Sequence, residues 1–338
     1  MIDKFQESSQ PGRIGNLFML TLVLLVFGFI FLIKGADYLV QGSSSLAKKL
    51  RVSDLIIGLT IVALGTSTPE LVVNLVASFR GTADLAIGNV LGSNIANILL
   101  ILGVSATIYP LVVHKNTVYK EIPFALLAVL ALFFLVNDQD LASQKANLLS
   151  RGDGLVLLLF FLIFMYYVFS VAVSKPNSED AVLEEDIEVL PMWQSWMMII
   201  AGILGLVFGG QWVVDSAVAI AKMLGVSEKL IGLTIVAIGT SLPELVTSAM
   251  AAYRQKTDIA VGNVVGSNIM NILFILALTA VVSPLSFSND LQVDLWMVIG
   301  VTVLLFLALF VGKRRLLERW QGVTFITVYL MYIVYSLF

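Results

Sequence analysis

Two short strings hold most of the polar chemistry of an otherwise apolar chain: GTSTPELV at residues 65–72 and GTSLPELV at residues 239–246. Thr66 and Ser67 precede Glu70 by four and three positions, so all three side chains share one helical face. Thr240, Ser241 and Glu244 repeat the arrangement. Pro69 and Pro243 have no N–H, and each ring clashes with the carbonyl four residues back, which opens the helical ladder around Ala63–Thr66 and Ala237–Thr240. A freed carbonyl in hydrocarbon costs several kcal/mol unless a partner satisfies it, and a cation is one candidate.

Downstream of each string lies a second pair, GNVLGSNIAN at 88–97 and GNVVGSNIMN at 262–271. There Ser93 and Asn97 are four apart, as are Ser267 and Asn271. Gly88 and Gly92, like Gly262 and Gly266, share that spacing and permit close helix approach. Brought together, the four strings would enclose a site lined by oxygen alone. Such a site suits hard cations, above all Ca2+ with roughly six to eight oxygen ligands. The lack of thiolate and imidazole argues against zinc, copper or iron. Two carboxylates would balance one Ca2+ or two Na+, a physical basis for competition. The glycine-rich strings lack the GxxxxGK[ST] pattern of a phosphate loop.

The elements that must position these residues follow from composition. Of 338 residues 59% are hydrophobic and 13% charged, and the mean hydropathy is +0.96. A soluble domain carries roughly 25% charged residues, so this is a membrane protein. With no cysteine there is no disulfide and no thiolate site. A net charge of −3 gives no reason to expect nucleic acid. The lone histidine, His114, beside Lys115, reads as a solvated loop residue. Apolar runs long enough to span lie near 16–40, 55–79, 84–109, 121–136, 154–173, 195–221, 229–253, 258–282, 293–312 and 322–338. The first reads as a spanning helix rather than a signal peptide.

Shifted by 174 residues, the chain matches itself: roughly 30 of 46 positions agree between Ile57–Leu102 and Ile231–Leu276. Five spans separate the copies, so the second enters the membrane from the opposite face. The expected fold is an all-α membrane protein of ten transmembrane helices in two inverted-topology repeats of five, an architecture typical of secondary transporters. The expected parts are an N-terminal tail (1–15), a first repeat (16–173), an acidic cytoplasmic linker (174–194) and a second repeat (195–338). The linker reads as a solvated connection, since it lacks the spacing of a Ca2+-binding EF-hand loop. Twelve Lys and Arg fall in loops on one side and seven on the other, which makes the first side cytoplasmic and leaves both termini extracellular.

A buried acidic residue costs about 2.5–3.5 kcal/mol on insertion scales. No Lys or Arg lies within the spans that carry Glu70 and Glu244, and Lys34 and Asp37 are spaced to pair with each other. Neutralisation by a basic side chain is thus disfavoured, although the hydroxyls alone would be served by back-bonding to helical carbonyls.

At these residues the sequence resembles the cation/Ca2+ exchanger superfamily, specifically its prokaryotic Na+/Ca2+ exchangers. GTSTPE/GTSLPE and GSNIAN/GSNIMN look like that family's two alpha-repeats. The resemblance implies a central cation site with Glu70 and Glu244 as acidic ligands and Thr66, Ser67, Ser93, Thr240, Ser241 and Ser267 as hydroxyl ligands. Ala63 and Ala237 would offer backbone carbonyls, and Asn97 and Asn271 amide oxygens. Helices 16–40 and 195–221 would slide across this core to switch access. Relatives that co-transport K+ carry an aspartate where this chain has Asn271, so K+ independence is expected.

The expected activity is antiport of Na+ against Ca2+ in a prokaryotic cell membrane. The partners would be these two ions and the bilayer, with no further cofactor. A Ca2+/H+ exchanger of the same superfamily is the nearest alternative, but those usually carry a GNxxE-type motif at this place. A passive channel fits an inverted pair less well than a symmetric ring. No nucleophile–base pair is visible, so the chain does not read as an enzyme.

Overall fold

The computed structural model describes residues 11–137, 147–173, 190–224 and 239–337. They form eleven helices: α1 (Pro11–Leu50), α2 (Asp54–Thr66), α3 (Thr68–Phe79), α4 (Ala83–Ile108), α5 (Thr117–Val136), α6 (Arg151–Val173), α7 (Met192–Met223), α8 (Leu242–Tyr253), α9 (Thr257–Val282), α10 (Asn289–Ala308) and α11 (Arg319–Leu337). Four two-residue strands, β1 (Leu111–Val112), β2 (Leu148–Leu149), β3 (Leu285–Ser286) and β4 (Leu316–Leu317), link loops at the helix ends. β1 pairs antiparallel with β4, and β2 with β3.

Among the described residues, seven helices are long and apolar enough to cross a membrane, or eight spans with α2 and α3 taken together. The expected continuous span at 55–79 is instead two helices bent by 45°. Ser67 makes the break with φ −83° and ψ 9°, and Pro69 sits in the first turn of α3, where its missing N–H costs no hydrogen bond. Ser241 has nearly the same backbone (φ −87°, ψ 6°), with Pro243 in the first turn of α8. Of the expected span 229–253, residues 229–238 lie outside the described set, as do most of the 174–194 linker and most of the 1–15 tail. The expected first span, 16–40, runs on to Leu50.

Chain ends of the broken helices are closed alike. After α3, Gly81 takes φ +72° while Thr82 N–H reaches back to the Ala77 carbonyl at 3.0 Å. After α8, Gln255 takes φ +60° while Lys256 N–H bonds the Ala251 carbonyl at 2.7 Å. Both are the left-handed termination that satisfies orphan carbonyls.

The longest helices, α1 and α7, pack along their length. Small residues make the seam. A Cβ on Gly28 would lie 3.0 Å from the Gly209 carbonyl, one on Gly35 2.8 Å from that of Gly202, and one on Gly42 2.8 Å from that of Ser195. As one number rises by seven the other falls by seven, so the helices run antiparallel with backbones in contact. Dispersion between close backbones is what holds helices together where lipid is as apolar as leucine. Ser45 extends the seam, sharing a 3.0 Å hydrogen bond with Ser195 and accepting the Leu190 N–H at 2.9 Å.

Inside lie α4 and α9, the most buried of the spans, at 72% and 83%. α9 packs on α2 through Gly262 and Gly266, where an added Cβ would meet Leu55 and Leu59 carbonyls at 2.8 and 2.7 Å. Gly88, by contrast, has only Leu291 Cδ2 at 3.6 Å within reach among the described residues. α8 packs on α9, α3 on α4, α11 on α4 and α6 on α9.

Two expectations about charge are corrected here. Asp37 does not pair with Lys34, which is exposed; it pairs with Arg254 just after α8. His114 is not merely solvated: its Nε2 lies 2.9 Å from Asp258 Oδ2 at the start of α9.

The glycine seam yields a stability prediction. Gly202→Leu would drive a side chain into the Gly35 carbonyl and Leu39 N–H, both 2.7 Å from an added Cβ, at a cost of about 1–3 kcal/mol. Thermal unfolding in detergent should fall by several degrees. Gly300→Leu, where an added Cβ meets nothing within 4 Å, should melt like the parent. Equal melting of the two variants would contradict the close α1–α7 contact.

Candidate functional site

Ser67, at the break between α2 and α3, and Ser241, just before α8, bring the repeated strings together. Ser67 donates from Oγ to Glu244 Oε1 at 2.8 Å and lies 3.0 Å from Ser267 Oγ. Ser241 donates to Glu70 Oε1 at 3.5 Å and lies 3.2 Å from Ser93 Oγ. Each carboxylate is thus held by a serine from the opposite half of the chain. Both glutamates are 1% exposed, and they repel one another across the interface.

Further out, Thr66 donates to Asn263 Oδ1 at 3.0 Å, and Thr240 to Asn89 Oδ1 at 3.2 Å. Those asparagines in turn donate to Ser248 Oγ and Asn74 Oδ1, at 3.0 and 2.9 Å. Every bond in this set has a mate displaced by 174 in each number. That regularity follows from two copies of one sequence packed face to face.

Asn97 and Asn271 each open a π-helical turn, Asn97–Ile101 in α4 and Asn271–Leu276 in α9. Such turns are frequent at functional sites because the extra residue re-aims side chains. The turn from Asn97 packs on α8, which carries Glu244, and the turn from Asn271 packs on α3, which carries Glu70.

Four buried oxygens in this region have no hydrogen-bond donor among the described residues: Glu70 Oε2, Glu244 Oε2, Asn97 Oδ1 and Asn271 Oδ1. Buried acceptors are normally satisfied, and each exception needs a reason. No Lys or Arg among the described residues pairs with either glutamate. Nor do three His, Cys, Asp or Glu side chains gather among them as a metal cluster. A cation beside the glutamates would meet two carboxylates and the serine hydroxyls that bond them. A cavity of about 20 Å³ touches Ser67, but the rest of its lining, Leu64, Thr68, Leu71, Met270, Phe274 and Ile275, is mostly apolar and includes neither glutamate.

Of the residues singled out from sequence, Ser67, Glu70, Ser93, Ser241, Glu244 and Ser267 share the serine–carboxylate bonds, and Asn97 and Asn271 open turns that pack on the helices carrying the glutamates. Thr66 and Thr240 bond asparagines beside the cluster, and Thr66 also reaches Glu244. The Ala63 carbonyl accepts the Ser67 N–H at 3.0 Å and the Thr66 hydroxyl at 3.3 Å. The Leu64 carbonyl accepts the Thr68 hydroxyl at 3.0 Å. Carbonyls beside the break are therefore partly served by the chain's own hydroxyls. Ala237 lies outside the described residues. Sequence reasoning overlooked Asn89, Asn94, Asn263 and Asn268, although their identity at the 174-residue offset was a usable signal.

The chain is also similar to known proteins. Residues 20–170 and 194–338 match the family described as sodium/calcium exchanger protein. The chain is similar to the sodium/calcium exchanger MaX1 of Methanosarcina acetivorans, 32% identical over 92% of this chain and 97% of that one. It is likewise similar to the inner membrane protein YrbG of Escherichia coli K12, 37% identical over 82% of this chain and 86% of that one. Its fold resembles the solved sodium-calcium exchanger NCX_Mj with a TM-score of 0.78, at 35% identity over 93% of this chain and 98% of that chain. The serine-bridged carboxylates therefore sit in an integral membrane protein that belongs to the sodium/calcium exchanger family.

Proposed function

We propose that this protein is a secondary antiporter that exchanges Na+ for Ca2+ across a prokaryotic cell membrane by alternating access. The observation that carries the reading is the pair Glu70 and Glu244. Each has one oxygen held by a serine of the opposite half, and each leaves its other oxygen buried and bare. Two negative charges in such a place need two positive ones, and one Ca2+ or two Na+ would serve equally. The ligands would be Glu70, Glu244, Asn97 and Asn271, with Ser67, Ser93, Ser241 and Ser267 lining the site. Thr66, Thr240, Ala63 and Ala237 would support its rim. Asn271, where an acid would favour K+, makes the exchange K+-independent.

In this reading the chain crosses the membrane ten times as two inverted repeats of five. Support comes from the paired hydrogen bonds at an offset of 174 and from α1 and α7, the first helices of the two halves, which run antiparallel. The α1–α7 pair would slide across the core to open one side and then the other. An empty core would present two unneutralised carboxylates to the moving helices. That electrostatic barrier limits uncoupled movement, which is what distinguishes an antiporter from a channel.

Radiolabelled Ca2+ uptake into proteoliposomes tests the proposal. Uptake should require an outward Na+ gradient, be indifferent to K+, and fall to the level of protein-free vesicles in Glu70→Gln and in Glu244→Gln. Uptake driven by an outward proton gradient alone would make the protein a Ca2+/H+ exchanger instead, and uptake without any gradient a channel. Full transport by both glutamine variants would sink the site assignment.

Both termini would lie outside, with the loop of Lys313, Arg314 and Arg315 in the cytoplasm. The cysteine-free sequence makes this easy to check with single cysteines. An impermeant maleimide added to intact cells should label Arg80→Cys but not Arg314→Cys. The opposite pattern would invert the orientation.

A further inference from the structure

Each GSNIxN string holds two asparagines three residues apart: Asn94 and Asn97 in α4, Asn268 and Asn271 in α9. Only the second of each pair offers a bare oxygen. The first of each pair is also buried, and its hydrogen bonds show what it does.

An amide side chain has a donor end and an acceptor end, and only its neighbours decide which points where. Here a backbone carbonyl, whose identity is fixed, anchors the decision. Asn268 Nδ2 lies 3.4 Å from the Asn94 carbonyl oxygen, so the end of Asn268 that faces it must be the donor. Asn268 Oδ1 is then the other end, and it lies 2.9 Å from Asn97 Nδ2. A reversed Asn97 amide would put two oxygens at that distance. The bond therefore turns Asn97 Oδ1 away from Asn268, buried and without a donor.

The same chain of constraints runs in the other direction. Asn94 Nδ2 faces the Asn268 carbonyl at 3.3 Å. Asn94 Oδ1 accepts Asn271 Nδ2 at 3.0 Å, and Asn271 Oδ1 is left bare.

We propose that Asn268 and Asn94 are positioning residues that set which end of Asn97 and Asn271, respectively, faces the transported cation. This rests on the antiport reading, in which Asn97 and Asn271 supply ligand oxygens. Each half of the chain thereby orients a ligand of the other half. A site that must take a cation and release it gains from amides that are already turned, because no rotation is then needed at the moment of binding. Without Asn268, the Asn97 amide is free to present its N–H₂ end to the cation, which repels it.

The pairing predicts a specific pattern of non-additivity. Ca2+ affinity of the purified full-length protein in detergent is measured by equilibrium binding, with thermal unfolding to verify the fold of each variant. Asn97→Ala and Asn268→Ala should each weaken binding by about tenfold, the lower range for residues that orient metal ligands. Their double variant should also weaken it about tenfold, because one removes the ligand that the other orients. The crossed double, Asn97→Ala with Asn94→Ala, should multiply to about a hundredfold. Asn268→Asp keeps an acceptor oxygen for Asn97, so in that background Asn97→Ala should still cost its full factor. Asn268→Ser, too short to reach Asn97, serves in the same cycle if the alanine variant does not fold.

Multiplicative losses in the Asn97/Asn268 pair would overturn the inference. So would an Asn97→Ala variant that binds like the parent, since there would be no ligand to orient. A parent protein that binds no Ca2+ at all would overturn the antiport reading itself, a result separate from both.

Discussion

Two carboxylates buried in the same apolar interior, with no basic side chain among the described residues to offset them, govern the rest of this structure. Desolvating one charge costs several kcal/mol even after relaxation, and a second of the same sign adds repulsion. The chain tolerates the pair because serines from opposite halves hold one oxygen of each. The remaining oxygens wait for positive charge. Lining the site with neutral amides and hydroxyls keeps that demand at two charges, which Ca2+ and Na+ can meet in different numbers. On the proposed antiport reading, ion competition and resistance to leak would have one origin.

Around this pair the architecture supplies close approach. Gly262 and Gly266 bring α9 against the backbone of α2. Ser67 separates α2 from α3, and Ser241 immediately precedes α8; both hydroxyls bond a glutamate of the opposite half. The π-turns at Asn97 and Asn271 move two amides toward the helices that carry the glutamates. The backbone at Ser67 and Ser241 and the π-turns at Asn97 and Asn271 are each repeated at a displacement of 174 residues, whereas, among the described residues, the glycine contacts of α9 on α2 are not. The α1–α7 seam differs in kind: glycines and a serine lie against backbone there, a smooth contact along two long helices. The Asp37–Arg254 ion pair ties this seam to the end of α8.

Much of this was legible in the sequence because a repeat is read by identity, without knowledge of the fold. Glu70 and Glu244 stood out by chemistry, and the serines and asparagines by spacing from them. The prolines announced the breaks but not the 45° bend, which depends on what α2 and α3 pack against. Contacts between distant residues were not legible. Asp37 finds Arg254 at a separation of 217 residues and His114 finds Asp258 at 144, whereas local spacing pointed to Lys34 and to solvent. The roles of Asn94 and Asn268 were hidden for a related reason. Which end of an amide faces a ligand is decided by backbone carbonyls across an interface, and spacing along one helix says nothing about them.

The most direct test of the central claim is Ca2+ binding to the purified protein at rising Na+ concentration and constant ionic strength. If two carboxylates form one charge-neutral site, saturating Na+ should displace Ca2+ completely, and the dependence on Na+ should be steeper than for a single ion. Ca2+ that stays bound at saturating Na+ would mean separate sites, and the account of exchange by competition for Glu70 and Glu244 would be wrong.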